Sequence, residues 1–186
     1  MPQHNTSPRL HFWLDFAVFQ VGWFACVLGA ANRHAWIALV AAALALAVHS
    51  VWTKPAGREL ELIACVTMLG TLLDSAVLNT GWIRYASGMY ADHLAPYWIT
   101  ALWMLFATTL NVSMRWLHGH YGWAVLLGAI GGPLSYWGAA RLNAVQFVDT
   151  MPLLITLAVV WAMAMPVCIW LAARLDAAAY NAKAIA

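Results

Sequence analysis

Six apolar runs, at about 11–31, 34–52, 60–81, 95–116, 121–142 and 152–174, fill almost the whole chain and leave only short polar breaks between them. A helix needs about 20 apolar residues to cross the roughly 30 Å of hydrocarbon in a bilayer, and each run has close to that length. The pattern therefore predicts an all-α, polytopic integral membrane protein, a bundle of six transmembrane helices. Composition agrees: 64% of the 186 residues are hydrophobic and 9% are charged. An ordinary soluble domain is about 45–50% apolar and about 25% charged, so a soluble fold is excluded.

The breaks carry charge or turn chemistry: Asn32-Arg33-His34, Thr53 to Arg58, Arg84 to His93, His118-Gly119-His120, and Arg141 to Thr150. Pro96 and Pro152 sit where a first helical turn has no use for the missing N–H. The expected division is a cytoplasmic N-terminal tail at 1–10, one transmembrane domain at 11–174, and a cytoplasmic C-terminal tail at 175–186. The tail is not expected to be part of a signal peptide, because the apolar run that follows it has full spanning length and no small-residue cleavage site.

Orientation follows from Lys and Arg. The tails and the second and fourth breaks hold Arg9, Lys54, Arg58, Arg115, Arg174 and Lys183, against Arg33, Arg84 and Arg141 on the other side. The excess marks the cytoplasmic face, so both termini are expected there. Trp13, Trp36, Trp52, Trp82, Trp98, Trp116 and Trp123 lie near the expected span ends, where amphipathic rings settle. Trp23, Trp103, Trp137, Trp161 and Trp170 lie deeper, which suits packing between helices or against acyl chains. A net charge of +2 without a basic run gives no reason to expect nucleic acid. Cys26, Cys65 and Cys168 fall in three different runs and read as small apolar residues.

Asp74, in the run MLGTLLDSAVLNTGW, is the sharpest chemical feature. A carboxylate at that depth costs about 2.5–3.5 kcal/mol on insertion scales, so it should face protein or water. Helical spacing places Thr67, Gly70, Thr71, Asp74 and Leu78 on one face. Asp74 is either a proton-handling or ligand-orienting group, or a structural acid that fixes helix packing. Depth matching between the third and fifth spans makes Tyr136 or Arg141 its expected partner, with Asp74 near the glycine-rich face of the fifth span. Asp15, one turn inside the first span, is close enough to the interface to snorkel.

In the fourth run, Thr108, Asn111 and Arg115 form a polar stripe at i, i+3 and i+7, and Arg115 suits a lipid phosphate or an interfacial anchor. In the fifth, Gly128, Gly131, Gly132, Ser135, Gly138 and Ala139 make a small-residue face for a close helix or a flat ligand. Pro133 and Pro166 each free a carbonyl four residues back. The candidate ligand-binding set is Thr71, Asp74, Trp103, Thr108, Asn111, Arg115, Ser135, Tyr136 and Arg141, with Asp74 the one catalytic candidate. His118 and His120 are too isolated to make a metal site, and neither a haem nor a di-iron histidine pattern occurs, so no metal or cofactor is expected.

Four stretches carry a family resemblance: Trp23-Phe24; Leu69-Gly70, Asp74, Leu78 and Gly81; Pro96, Trp98, Leu102-Trp103, Phe106-Ala107 and Thr109; and Gly132-Pro133 with Ser135-Tyr136. Together they resemble the bacterial inner-membrane family of unknown function numbered 2878. The resemblance implies a small multi-pass protein of the bacterial inner membrane, often encoded near genes resembling cyclopropane-fatty-acid synthases. That context points to lipid modification without naming a step, and it brings no catalytic residues. Three functions follow as expectations. The first is an enzymatic or accessory role in phospholipid or fatty-acyl modification, with membrane lipids as partners. The second is a small transporter or flippase using Asp74. The third is a non-catalytic scaffold for a protein partner, which the short cytoplasmic loops disfavour.

Overall fold

The computed structural model describes residues 8–53 and 57–185, and the side chains within them except at Pro8, 52–53 and 177–185. Most of the N-terminal tail, Lys54, and the side chains of Trp52 and Lys183 therefore lie outside the described residues. Six α-helices form among the described residues: α1 (Pro8–Ala31), α2 (Ile37–Thr53), α3 (Gly57–Asn79), α4 (Tyr97–Thr109), α5 (Tyr121–Arg141) and α6 (Thr150–Ile185). Each starts within a few residues of an apolar run, because the run supplies the helix and the break supplies its stop. Asn32 closes α1 by donating its amide to the Leu28 carbonyl at 2.8 Å, and Arg33 then turns left-handed at φ 62°.

The fourth run departs from expectation. α4 ends at Thr109, and the chain turns through residues 110–114 into a single 3₁₀ turn at Arg115–Leu117. The Thr108 and Thr109 hydroxyls donate back to the carbonyls of Leu105 and Phe106. Thirteen residues rise about 20 Å, short of the hydrocarbon thickness. Among the described residues, three helices are long and apolar enough to cross a membrane, over Arg9–Ala31, Gly57–Asn79 and Thr150–Asp176, and α2 is a shorter apolar helix.

Two three-residue strands sit in breaks read as turns. β1 (Ile83–Tyr85) and β2 (Val145–Phe147) pair antiparallel, Ile83 opposite Phe147, Arg84 opposite Gln146 and Tyr85 opposite Val145. This ribbon ties the end of α3 to the end of α5.

α4 is the hub. It packs on α1, α2 and α3, and Trp98, Trp103, Leu105 and Phe106 along it are buried. Trp98 is thus a core residue and not an interfacial one; its Nε1 donates to the Ser87 carbonyl at 3.1 Å. α5 packs chiefly on α6, and α6 joins the rest through α3. Large apolar side chains such as Val21, Leu44, Met68, Leu72 and Ile155 point outward, as a lipid-facing surface requires.

Candidate functional site

Asp74 is buried, at 3% exposure, on the face of α3 that also carries Gly70. Gly70 lets the Trp103 ring of α4 lie directly on the α3 backbone: a Cβ there would fall 1.8 Å from a ring carbon. That approach brings Trp103 Nε1 within 2.6 Å of Asp74 Oδ2. From α5 the Tyr136 hydroxyl donates to Oδ1. Each carboxylate oxygen thus has a donor, which answers the cost of placing it away from water. Of the two expected partners, Tyr136 is the one that bonds the carboxylate. Arg141 is not: its guanidinium lies 5.1 Å above the Trp137 ring.

Aromatic rings build the surroundings. Trp161 of α6 stacks on Trp103, centroids 4.7 Å apart and planes 12° from parallel, and Phe106 meets both edge-on. Trp161 is seated by Gly128 and Gly132, at each of which a Cβ would come within 2.2 Å of it. Gly128 and Gly132 of α5 therefore receive α6, while Ser135, Tyr136 and Ala139 of the same helix border the cavity at Asp74. Across the bundle, Trp23 of α1 donates Nε1 to Ser135 Oγ at 3.0 Å and lies over Gly138.

Beside the carboxylate is a cavity of about 60 Å³, walled by Trp23, Trp98, Trp103, Phe106, Tyr136 and Trp161. A larger hollow of about 440 Å³ adjoins it, sharing Phe19, Trp23, Phe106, Ser135 and Trp161, and running between α1, α5 and α6 past Gln20, Leu127 and Met165. Taken together, these adjoining and mostly apolar hollows make a cleft with Asp74 in the wall of its smaller part. It exists because α1 and α5 share no extended contact among the described residues.

Of the nine expected site residues, Asp74, Trp103, Ser135 and Tyr136 come together on this cleft. The others do not. Thr71 faces α4, donating to the Thr67 carbonyl at 2.8 Å and meeting Thr100 Oγ1 at 3.2 Å. Because α4 stops at Thr109, the Thr108, Asn111 and Arg115 stripe is not formed. Asn111 donates to Glu59 Oε2 at 2.8 Å, and Arg115 pairs with Asp176 at 2.5 Å.

A second polar cluster, missed in the sequence, occupies the opposite end. His49 Nε2 lies 3.1 Å from Glu59 Oε1, and the buried Asp15 accepts the Ser113 N–H at 3.2 Å. Asp15 is therefore a core acid and not a snorkelling one. Its signal was the end of α4, where turning backbone must find side-chain partners. Tyr85, on β1, was also missed. Its hydroxyl is buried beside Tyr136, and burial, reinforced by the Asp74 carboxylate, holds its pKa well above 10.

The fold defines a class: an all-α protein which, among the described residues, has three helices long and apolar enough to cross a membrane, as a membrane protein has. Residues 12–167 match the model of the family described as "Protein of unknown function (DUF2878)", and the chain belongs to that family. No curated protein and no solved structure matches it.

Proposed function

We propose that this is a bacterial inner-membrane protein with six spans and both termini in the cytoplasm, and that it takes the apolar chain of a membrane lipid into the cleft between α1 and α5. Its role is enzymatic or accessory, in phospholipid or fatty-acyl modification. The observation that supports this is the cleft itself, mostly apolar and with the Asp74 carboxylate in its wall. Its combined volume falls in the range of about 300–1,000 Å³ typical of small-molecule sites. Asp74, oriented by Trp103 and Tyr136, would meet the polar or reacting end of the chain.

A transporter or flippase is the second reading, favoured by the buried Asp15 and the half-buried Glu59 at the opposite end from Asp74. Lipid profiles of a deletion strain complemented with wild type or Asp74→Asn test the first reading. A profile unchanged by deletion, under growth and stress alike, would overturn it. Flux into vesicles that is lost in Asp74→Asn would establish the second.

A further inference from the structure

We propose that the hollow between the β1–β2 ribbon and the end of α5 is a binding site for a phosphate oxyanion. It measures about 580 Å³ and is lined by both strands, the last turn of α5 and Thr150, the first residue of α6. Arg84 and Gln146 are direct partners on the paired strands, so their side chains stand on one face of the ribbon. Arg141 reaches the same hollow from α5, its guanidinium resting on Trp137. Stacking on the ring fixes the plane of that guanidinium while leaving its N–H groups free to bind.

The positive charge is uncompensated. The ion pairs among the described residues are His49–Glu59, Arg58–Glu61 and Arg115–Asp176, and none involves Arg84 or Arg141. Among the described residues no carboxylate lines the hollow; Asp149, one residue before Thr150, is exposed and lies outside the lining. Asn143 and Gln146 add amide donors, and the N-terminus of the 36-residue α6 opens beside them. Two planar forks with nearby N–H donors match the oxygens of a phosphate group. Trp137 is half-exposed beside the site, as a ring at headgroup level is. The phosphate would belong either to a phospholipid headgroup or to a soluble phosphate compound. The site shares only Val145 with the small cavity at Asp74, so it stands or falls apart from the lipid-modification reading.

The test is native mass spectrometry of the full chain in detergent, comparing retention of phosphatidylglycerol with that of diacylglycerol, which lacks the phosphate. The wild type should prefer the phosphatidylglycerol, and Arg84→Gln with Arg141→Gln should remove the preference, at roughly tenfold per arginine. Arg33→Gln, which removes an exposed charge at the same end of the bundle, should leave it intact. Displacement of the lipid by millimolar inorganic phosphate would assign a soluble ligand, and resistance to it a lipid headgroup. If the glutamine pair does not fold, Arg84→Lys with Arg141→Lys keeps the charge and loses the fork, and binding should still weaken several-fold. No preference in the wild type, full preference in a folded double variant, or equal loss in Arg33→Gln would overturn the proposal.

Discussion

Gly70 and Trp103 are in direct contact across the α3–α4 interface, the indole lying where a side chain on Gly70 would project. Gly70→Ala must push the ring off α3 and pull its N–H from Asp74. Overpacking of this kind costs about 1–3 kcal/mol, before counting the lost hydrogen bond. Gly131→Ala is the matched control: the site has open space, and replacing a mid-helix glycine gains about 0.5–1 kcal/mol. Denaturation in mixed micelles should move the two variants in opposite directions. Equal stabilities would show that the ring is not seated as described.

The Trp103–Asp74 bond gives a second expectation. Trp103→Phe leaves a buried carboxylate oxygen short of its donor, at a cost of about 1.5–3 kcal/mol for a hydrogen bond to a charged group. A double-mutant cycle with Asp74→Asn should return a coupling of the same order. Additive effects would mean the two side chains act independently.

His118 sets a pH dependence. Burial, partly offset by its bond to the Leu110 carbonyl at 3.1 Å, lowers its pKa below the ordinary 6.5. The folded protein therefore binds this proton less readily than the unfolded chain. The stability that His118 contributes is complete above pH 6.5 and declines as pH falls below it, levelling once the folded-state pKa is passed. A pH series of melting temperatures should show a smaller decline in His118→Gln than in wild type; an identical decline would assign it to other groups.

The proposed six-span arrangement would put Asp92 and His120 on opposite sides of the membrane. With Cys26, Cys65 and Cys168 replaced by alanine, single cysteines at these two positions should differ in labelling by a membrane-impermeant maleimide in intact cells. The cysteine at 92 should react and that at 120 should not. The same result at both would sink the topology.

The sequence revealed the helices and the Asp74–Tyr136 pair because each depends on a local rule: apolar length for the helices, and equal depth along parallel spans for the pair. The ribbon was hidden because three residues are too few to show a two-residue alternation, and Arg84 looked like loop charge. The early stop of α4 was hidden because the apolar run continues past Thr109; hydroxyls bonding back, and backbone groups bound by other helices, end it instead. His49 and Glu59 meet only after α2 and α3 fold back on each other, and their spacing signals nothing beforehand.

Trp161 fills the notch at Gly128 and Gly132 with one part of its bulk and stacks on Trp103 with its ring, while Trp103 donates to Asp74. The separation of α5 from α6 is thereby transmitted to the carboxylate through two indoles, although α6 places no hydrogen-bonding group on Asp74. A methyl group added at either glycine, remote from the acid in sequence and not in contact with it, would shift the donor on which the acid's position depends.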